Sequence, residues 1–201
     1  MIKQTAPIKE YPLKTFTFDV DGISKKTLEE HYKLYEGYVK HTNLLNKKVS
    51  ELTEQGKTET PEFHEARRRF GFEYNGMVLH EYYFAALKSG QKTLAEQTKL
   101  YQRIMDSFGS YQTWEDDFKA MGKIRGNGWV ILYQDSARGV LQNYWIGDHH
   151  IGHPVNLTPI LVMDVWEHAY VMDFLPSGRK NYVEAFFKNI DWKLVESRLK
   201  A

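Results

Sequence analysis

Two long stretches of the chain carry apolar residues at helical spacing, and they constrain every later reading. In the first, Leu28, His31, Tyr35, Tyr38, Thr42, Leu45, Val49 and Leu52 step by three and four. That spacing puts them on one face of an α-helix. Lys26, Glu29, Lys33, Glu36, Lys40 and Lys47 fall on the opposite face. Ser24 is a candidate cap, and Thr27-Leu-Glu-Glu30 has the spacing of a capping box. A polar turn at Gln55-Gly56 closes this helix. Thr60-Pro61-Glu62 opens the next with a cap, a proline at the first helical position and an acid at the positive end of the dipole. Phe63, Ala66, Phe70, Met77, His80, Phe84 and Leu87 repeat the same steps, and Glu73 interrupts the seam. Gly71 and Gly76 each cost about 1 kcal/mol against Ala in a helix interior. They mark either a break or a place where another element comes close. The two helices form an antiparallel hairpin that ends near Ser89-Gly90.

The pattern then changes. Helices are expected over Thr93–Phe108 and Ser110–Met121, and Gly126-Asn127-Gly128 is a turn. Three short apolar runs follow, Trp129–Gln134, Val140–Trp145 and Thr158–Met163. The first two are separated by the hairpin turn Asp135–Gly139. A helix carrying Tyr182, Ala185, Phe186 and Ile190 comes next, and a last one starts at Asp191 or Trp192. The expected fold is α+β. A helical-hairpin domain, 1–90, precedes an α+β domain, 91–201, whose three-stranded antiparallel sheet is flanked by helices.

Composition narrows the chemistry. The 201 residues contain no Cys, which excludes disulfides, iron–sulfur clusters, thiolate zinc sites and cysteine nucleophiles. With 27 Lys+Arg against 26 Asp+Glu, the chain lacks the basic balance of a dedicated nucleic-acid binder. Met1–Leu13 is mixed polar and reads as neither a secretory leader nor a membrane anchor. No transmembrane run is present, so the expected compartment is the cytoplasm. Any metal must be held by His, Asp, Glu or oxygen ligands, and eight His are available.

His31 and His80 lie on the seams of two facing helices. Either alone suits a hydrogen-bonded core position, but together they can meet as bundle metal sites require. Asp164 follows the apolar run Ile160–Met163, and His168 is four residues on. A carboxylate at the end of a buried strand is costly unless paired or metal-bound, and one helical turn would bring both side chains to one point. The same spacing also fits an N-capping Asp with a surface His. His149, His150 and His153 cluster before the third strand as a metal site, a supporting shell or a loop. His41, His64 and the Arg67-Arg68-Arg69 run read as solvated helix faces.

Taken in order, these segments resemble the iron/manganese superoxide dismutases. Asp164-Val-Trp-Glu-His-Ala-Tyr170 matches that family's Asp-x-Trp-Glu-His-Ala-Tyr signature. Thr27–Asn43 is similar to the first metal-binding helix, and Asn75-Gly-Met-Val-Leu-His80 with Tyr83-Phe84 to the second. Gly126-Asn-Gly-Trp129 resembles the family's Gly-Ser-Gly-Trp strand start. Gly178-Arg-Lys-Asn-Tyr182 to Asn189-Ile-Asp-Trp192 is similar to its C-terminal pattern, so the resemblance covers nearly the whole chain.

The resemblance implies disproportionation of superoxide, with one iron or manganese ion per subunit on His31, His80, Asp164 and His168. Neither metal is favoured over the other. Family members use a Gln to hydrogen-bond the metal-bound solvent, from the second helix or from the loop before the third strand. The helix position is Gly76 here, and the loop position aligns with His149, or with His150 if the register differs by one. Most members carry a His one turn after the first ligand and a gateway Tyr eight after it. Here Tyr35 is one turn on and Tyr38 seven on, so either is the gateway candidate. Trp129 and Trp166 correspond to the aromatic lining of the pocket, and Arg179 to a cation that steers the anion. Glu167 corresponds to the acid that pairs across a dimer axis. A homodimer is implied, with a tetramer possible. An alternative on the same fold is a mononuclear non-haem iron or manganese oxidase or oxygenase. Such sites usually carry only two His and one carboxylate, whereas four ligands are implied here.

Overall fold

Helix α1, Lys25–Glu54, starts where Ser24 Oγ accepts the Thr27 N–H at 3.1 Å. The computed structural model, which describes residues 9–200, therefore places the cap at Ser24 and leaves Thr27 inside the helix, fully buried. The expected capping box at Thr27 is corrected accordingly. The first eight residues of the Met1–Leu13 segment lie outside the described ones. Helix α2, Pro61–Ala85, is capped by Thr60 and has its proline at the first turn. It runs unbroken through Gly71 and Gly76. Gly76 is instead a point of close approach, since a Cβ there would stand 2.7 Å from Cδ1 of Tyr38. Glu73, the interruption in the seam, is buried and accepts a 2.7 Å hydrogen bond from Arg69 Nε.

Helix α3 is shorter than its periodicity suggests. It spans Lys99–Phe108, not Thr93–Phe108, because the Thr98 hydroxyl accepts the Tyr101 N–H and caps the helix there. The backbone N–H and hydroxyl of Thr98 both turn back to the Ala95 carbonyl. Helix α4, Tyr111–Gly122, follows from its Ser110 cap.

The sheet consists of β1, Trp129–Asp135, β2, Val140–Ile146, and β3, Thr158–Asp164, in the order β2-β1-β3 and antiparallel throughout. Strand β1 is buried along its whole length, as expected for a central strand. Gly128 leads into it at φ +150°, where a Cβ would collide with the Ile146 carbonyl. The register pairs Trp129 with Asp164. Pro159 sits on the edge strand β3, beside a register shift opposite Leu132 and Tyr133.

A 3₁₀ turn, Glu167–Ala169, the short helix α5, Val171–Phe174, and a second 3₁₀ turn, Pro176–Gly178, lead to α6, Arg179–Lys188, and α7, Trp192–Ser197. The end of the hairpin is tied to this C-terminal segment: Lys88 N–H donates to the Asn189 carbonyl, and Asp191 N–H to the Ala86 carbonyl. The fold is α+β, two long N-terminal helices followed by a mixed part built on the three-stranded sheet. Among the described residues, no helix is long and apolar enough to cross a membrane.

Candidate metal centre

Four side chains from distant parts of the chain converge. His31 comes from the buried face of α1, His80 from that of α2, Asp164 from the last position of β3, and His168 from the first 3₁₀ turn. Asp164 and His168 therefore meet across a strand end and a tight turn, not along one turn of α-helix. One ligand atom from each lies within 4.8 Å of every other. Asp164 Oδ2 is the focus, 3.1 Å from His31 Nε2, 3.1 Å from His168 Nε2 and 3.7 Å from His80 Nε2. The His168 side chain keeps 24% of its surface exposed, and the other three are fully enclosed.

The hydrogen bonds around this cluster orient it. His80 Nδ1 is 2.6 Å from the Gly76 carbonyl. A carbonyl only accepts, so Nδ1 carries the proton. Burial, with His31 adding, holds His80 well below its ordinary range, and the ring is neutral. Its Nε2 therefore presents a lone pair to the cluster and has no hydrogen-bond partner among the described residues. Asp164 Oδ1 accepts the Trp166 N–H at 2.8 Å, and its carbonyl accepts the Tyr182 hydroxyl at 2.7 Å. Burial pushes the Asp164 carboxyl up, but the neighbouring His168 and His31 outweigh it and hold the group below the usual carboxylate range. Burial lowers His31 against the opposing pull of Asp164.

A lone pair facing a buried carboxylate with no proton between them is unfavourable unless a cation intervenes. Neutral imidazole and carboxylate are donors that suit iron and manganese, and a backbone-fixed tautomer is typical of a metal-binding His. The residues present fit such an ion.

His149 joins this group from the loop between β2 and β3. It is fully buried, and its Nε2 is 2.7 Å from the Tyr38 hydroxyl. Its Nδ1 accepts the Trp129 indole N–H at 3.1 Å. Because Nδ1 accepts, the single N–H of neutral His149 is at Nε2 and points at the Tyr38 oxygen. The hydroxyl hydrogen of Tyr38 is then left for another acceptor. Burial, with Asp164 opposing, brings His149 down to about 4. The Tyr38 phenol is pushed up by burial and by Asp164 and Glu73, so it stays protonated. The Trp166 ring lies 5.0 Å from that of His149 and 5.9 Å from that of His168.

Tyr35 is not brought into this group. Its hydroxyl accepts the Lys14 N–H and donates to Glu81 Oε1. Its ring packs on Phe16 and Phe84. His150 is half-buried beside Phe72, with Nδ1 3.8 Å from the Asp148 carboxylate, and among the described residues it makes no contact with the four clustered side chains. Glu167 is exposed, next in sequence to His168. The Arg179 guanidinium donates to the Gly126 and Val165 carbonyls at 2.8 and 2.9 Å. His41 and His64 are exposed.

Two neighbours of the site were not assigned to it from sequence. Phe72 lies 4.5 Å, ring to ring, from His149 and 6.1 Å from Tyr38. Tyr182 holds the Asp164 carbonyl. Phe72 had a usable signal, lying eight residues before His80 on the same face of α2. The partner of Tyr182 is across the fold and leaves no such trace.

Residues 96–198 match the family model described as iron/manganese superoxide dismutases, C-terminal domain. The chain belongs to the iron/manganese superoxide dismutase family. It is 32% identical over 185 residues to a superoxide dismutase [Fe] of Aquifex aeolicus (strain VF5), covering 90% of this chain and 85% of that protein. It is 33% identical to a superoxide dismutase [Fe] of Cupriavidus metallidurans, covering 100% and 98%. Identity to a superoxide dismutase [Mn] 1 of Haloferax volcanii is 31%, covering 92% of each. Relatives bearing either metal in their names are thus similar to this member of the family along most of its length.

Proposed function

We propose that this chain is a superoxide dismutase with one iron or manganese ion per subunit, held by His31, His80, Asp164 and His168. Two superoxide anions and two protons give one dioxygen and one hydrogen peroxide. The observation that carries the site assignment is the unpartnered Nε2 lone pair of His80, 3.7 Å from Asp164 Oδ2. When bound, the ion supplies one-electron chemistry, accepting an electron from one superoxide and returning it to the next.

The protein's own groups do the rest. The Gly76 carbonyl fixes the His80 tautomer, and the backbone N–H of Trp166 turns one oxygen of Asp164 away from the cluster. Trp129 and Trp166 wall the site and exclude water. Tyr38 is the gateway in this reading, supported by its bond to His149 and by the engagement of Tyr35 elsewhere. His149 donates to the Tyr38 oxygen and so makes the hydroxyl hydrogen a better donor toward reduced substrate. Among the described residues Arg179 meets neutral groups, the Gly126 and Val165 carbonyls and the Tyr170 ring, so its charge has no acidic partner there and can draw an anion inward.

The finer assignments belong to the same proposal. A homodimer forms with Glu167, exposed beside His168, at its interface. The two parts 1–90 and 91–201 act as domains that supply two ligands each, and the enzyme works in the cytoplasm. Sedimentation of Glu167→Ala at low concentration should show more monomer than the parent.

Separate reconstitution with iron and with manganese tests the function. Stoichiometric metal and superoxide consumption with at least one ion are expected. A pure protein that binds neither ion stoichiometrically would overturn the reading. A loaded protein that consumes dioxygen and an organic reductant but not superoxide would replace it with an oxidase.

A further inference from the structure

His149 sits on a stretch without regular structure, residues 147–157. Its ring must nevertheless hold a fixed place between Trp129 and Tyr38. A loop residue needs its backbone tied down to do this, and the structure shows the tie. His153 Nε2 is 2.7 Å from the His149 carbonyl, and His153 Nδ1 is 2.6 Å from the Tyr133 hydroxyl. The carbonyl only accepts, so Nε2 carries the proton and Nδ1 accepts from Tyr133. A neutral His153 satisfies both contacts. Pro154 biases His153 toward extended backbone, away from a helical turn.

The other end of this tie is rigid. Tyr133 is 2% exposed on the central strand β1, four residues after Trp129 and on the same face. One strand therefore grips His149 twice. Trp129 donates to its ring, and Tyr133, through His153, holds its carbonyl.

We propose that His153 and Tyr133 are positioning residues for His149, fixing the loop so that its single N–H meets the Tyr38 oxygen. They touch neither substrate nor metal in this proposal. It rests on the reading of His149 above. Loss of a group that directly supports a metal ligand costs about 10- to 100-fold in activity, and a group one contact further out should fall at the lower end, about 10-fold.

The test uses the full chain and a double-mutant comparison. His153→Ala should lower kcat about 10-fold with metal content unchanged. His153→Gln, which keeps an N–H donor near the same place, should recover most of it. In a His149→Ala background, His153→Ala should cause no further loss. Equal losses in both backgrounds would show a general structural role and overturn the proposal. A second readout is independent of turnover. Among the five Trp indole N–H signals in a nitrogen–proton spectrum of the metal-free chain, that of Trp129, assigned by its loss in Trp129→Phe, should move in His153→Ala and Tyr133→Phe. An unmoved signal in both variants would also overturn the proposal. If His149→Ala leaves activity intact while the Trp129 signal moves as expected, the catalytic reading of His149 fails and the positioning stands.

Discussion

Tyr38 fills the space that a side chain at Gly76 would take. A Cβ on Gly76 would stand 2.7 Å from Tyr38 Cδ1 and 2.8 Å from Cε1. The ring lies against α2 and its hydroxyl reaches His149, 111 residues away in sequence. The absence of a side chain on α2 and the presence of an imidazole in the loop are thus two parts of one arrangement.

Gly76→Ala should therefore destabilise the chain, although Ala is the better helix former by about 1 kcal/mol. Overpacking of this kind costs about 1–3 kcal/mol, so a net loss of about 1 kcal/mol is expected in the urea midpoint. Activity should fall further than stability suggests, because the Tyr38 ring must leave His149. A variant as stable and active as the parent would show that the ring moves freely.

His80→Ala should abolish stoichiometric metal. The variant removes the one cluster imidazole whose tautomer the backbone sets, and leaves a cavity costing about 2–4 kcal/mol. Metal analysis beside a folding check by circular dichroism separates the two effects. A folded variant with full metal content would remove His80 from the ligand set.

The metal-free chain should lose stability as pH falls below about 6.5. Burial, first among the causes, holds His31, His80, His149 and His153 below their ordinary value, His149 at about 4. The unfolded chain then binds more protons than the folded one, so stability rises with pH through this window. His149 loses its contribution between pH 6.5 and about 4. Each group adds at most about 1.4 kcal/mol per pH unit. Urea midpoints that do not change from about pH 7 to about pH 5 would contradict these burial effects.

Arg179→Lys should be a non-conservative change. The guanidinium fork spans the Gly126 and Val165 carbonyls, which flank the entry to β1 and the exit of β3. An ammonium on a flexible stem cannot hold both in the same geometry. A loss of about 1–2 kcal/mol is expected from leaving the carbonyl of buried Val165 unmet; Gly126 is exposed and water can replace its donor. Steering alone would leave stability intact and change only the salt dependence of kcat/KM, so measuring both separates the roles.

Much of the hairpin was legible because helices announce themselves locally. Ser24, Thr60 and Pro61 sit where caps and a first-turn proline are needed, and the seams of α1 and α2 carry the buried faces. The three strands were legible from apolar runs between turn residues, and each extends one position beyond the expected end. Helix α3 was overextended because periodicity does not register a cap. The hydroxyl of Thr98 competes with the preceding turn and ends it.

The sequence by itself determined which side chains were available: no thiol, His31 and His80 on apolar seams, and the Asp164 to Tyr170 signature. Its local periodicities, with the caps and turn residues between them, also determined where most elements lie, to within a few residues of their ends. Only the tertiary structure decided between Tyr35 and Tyr38 beside His149, and between His149 and His150 beside Trp129. It also decided which nitrogen of His80 faces Asp164. These choices depend on contacts between residues far apart in the chain and on hydrogen-bond direction. Spacing along a sequence fixes the face on which a side chain lies, and it carries no information about the partner that meets that face.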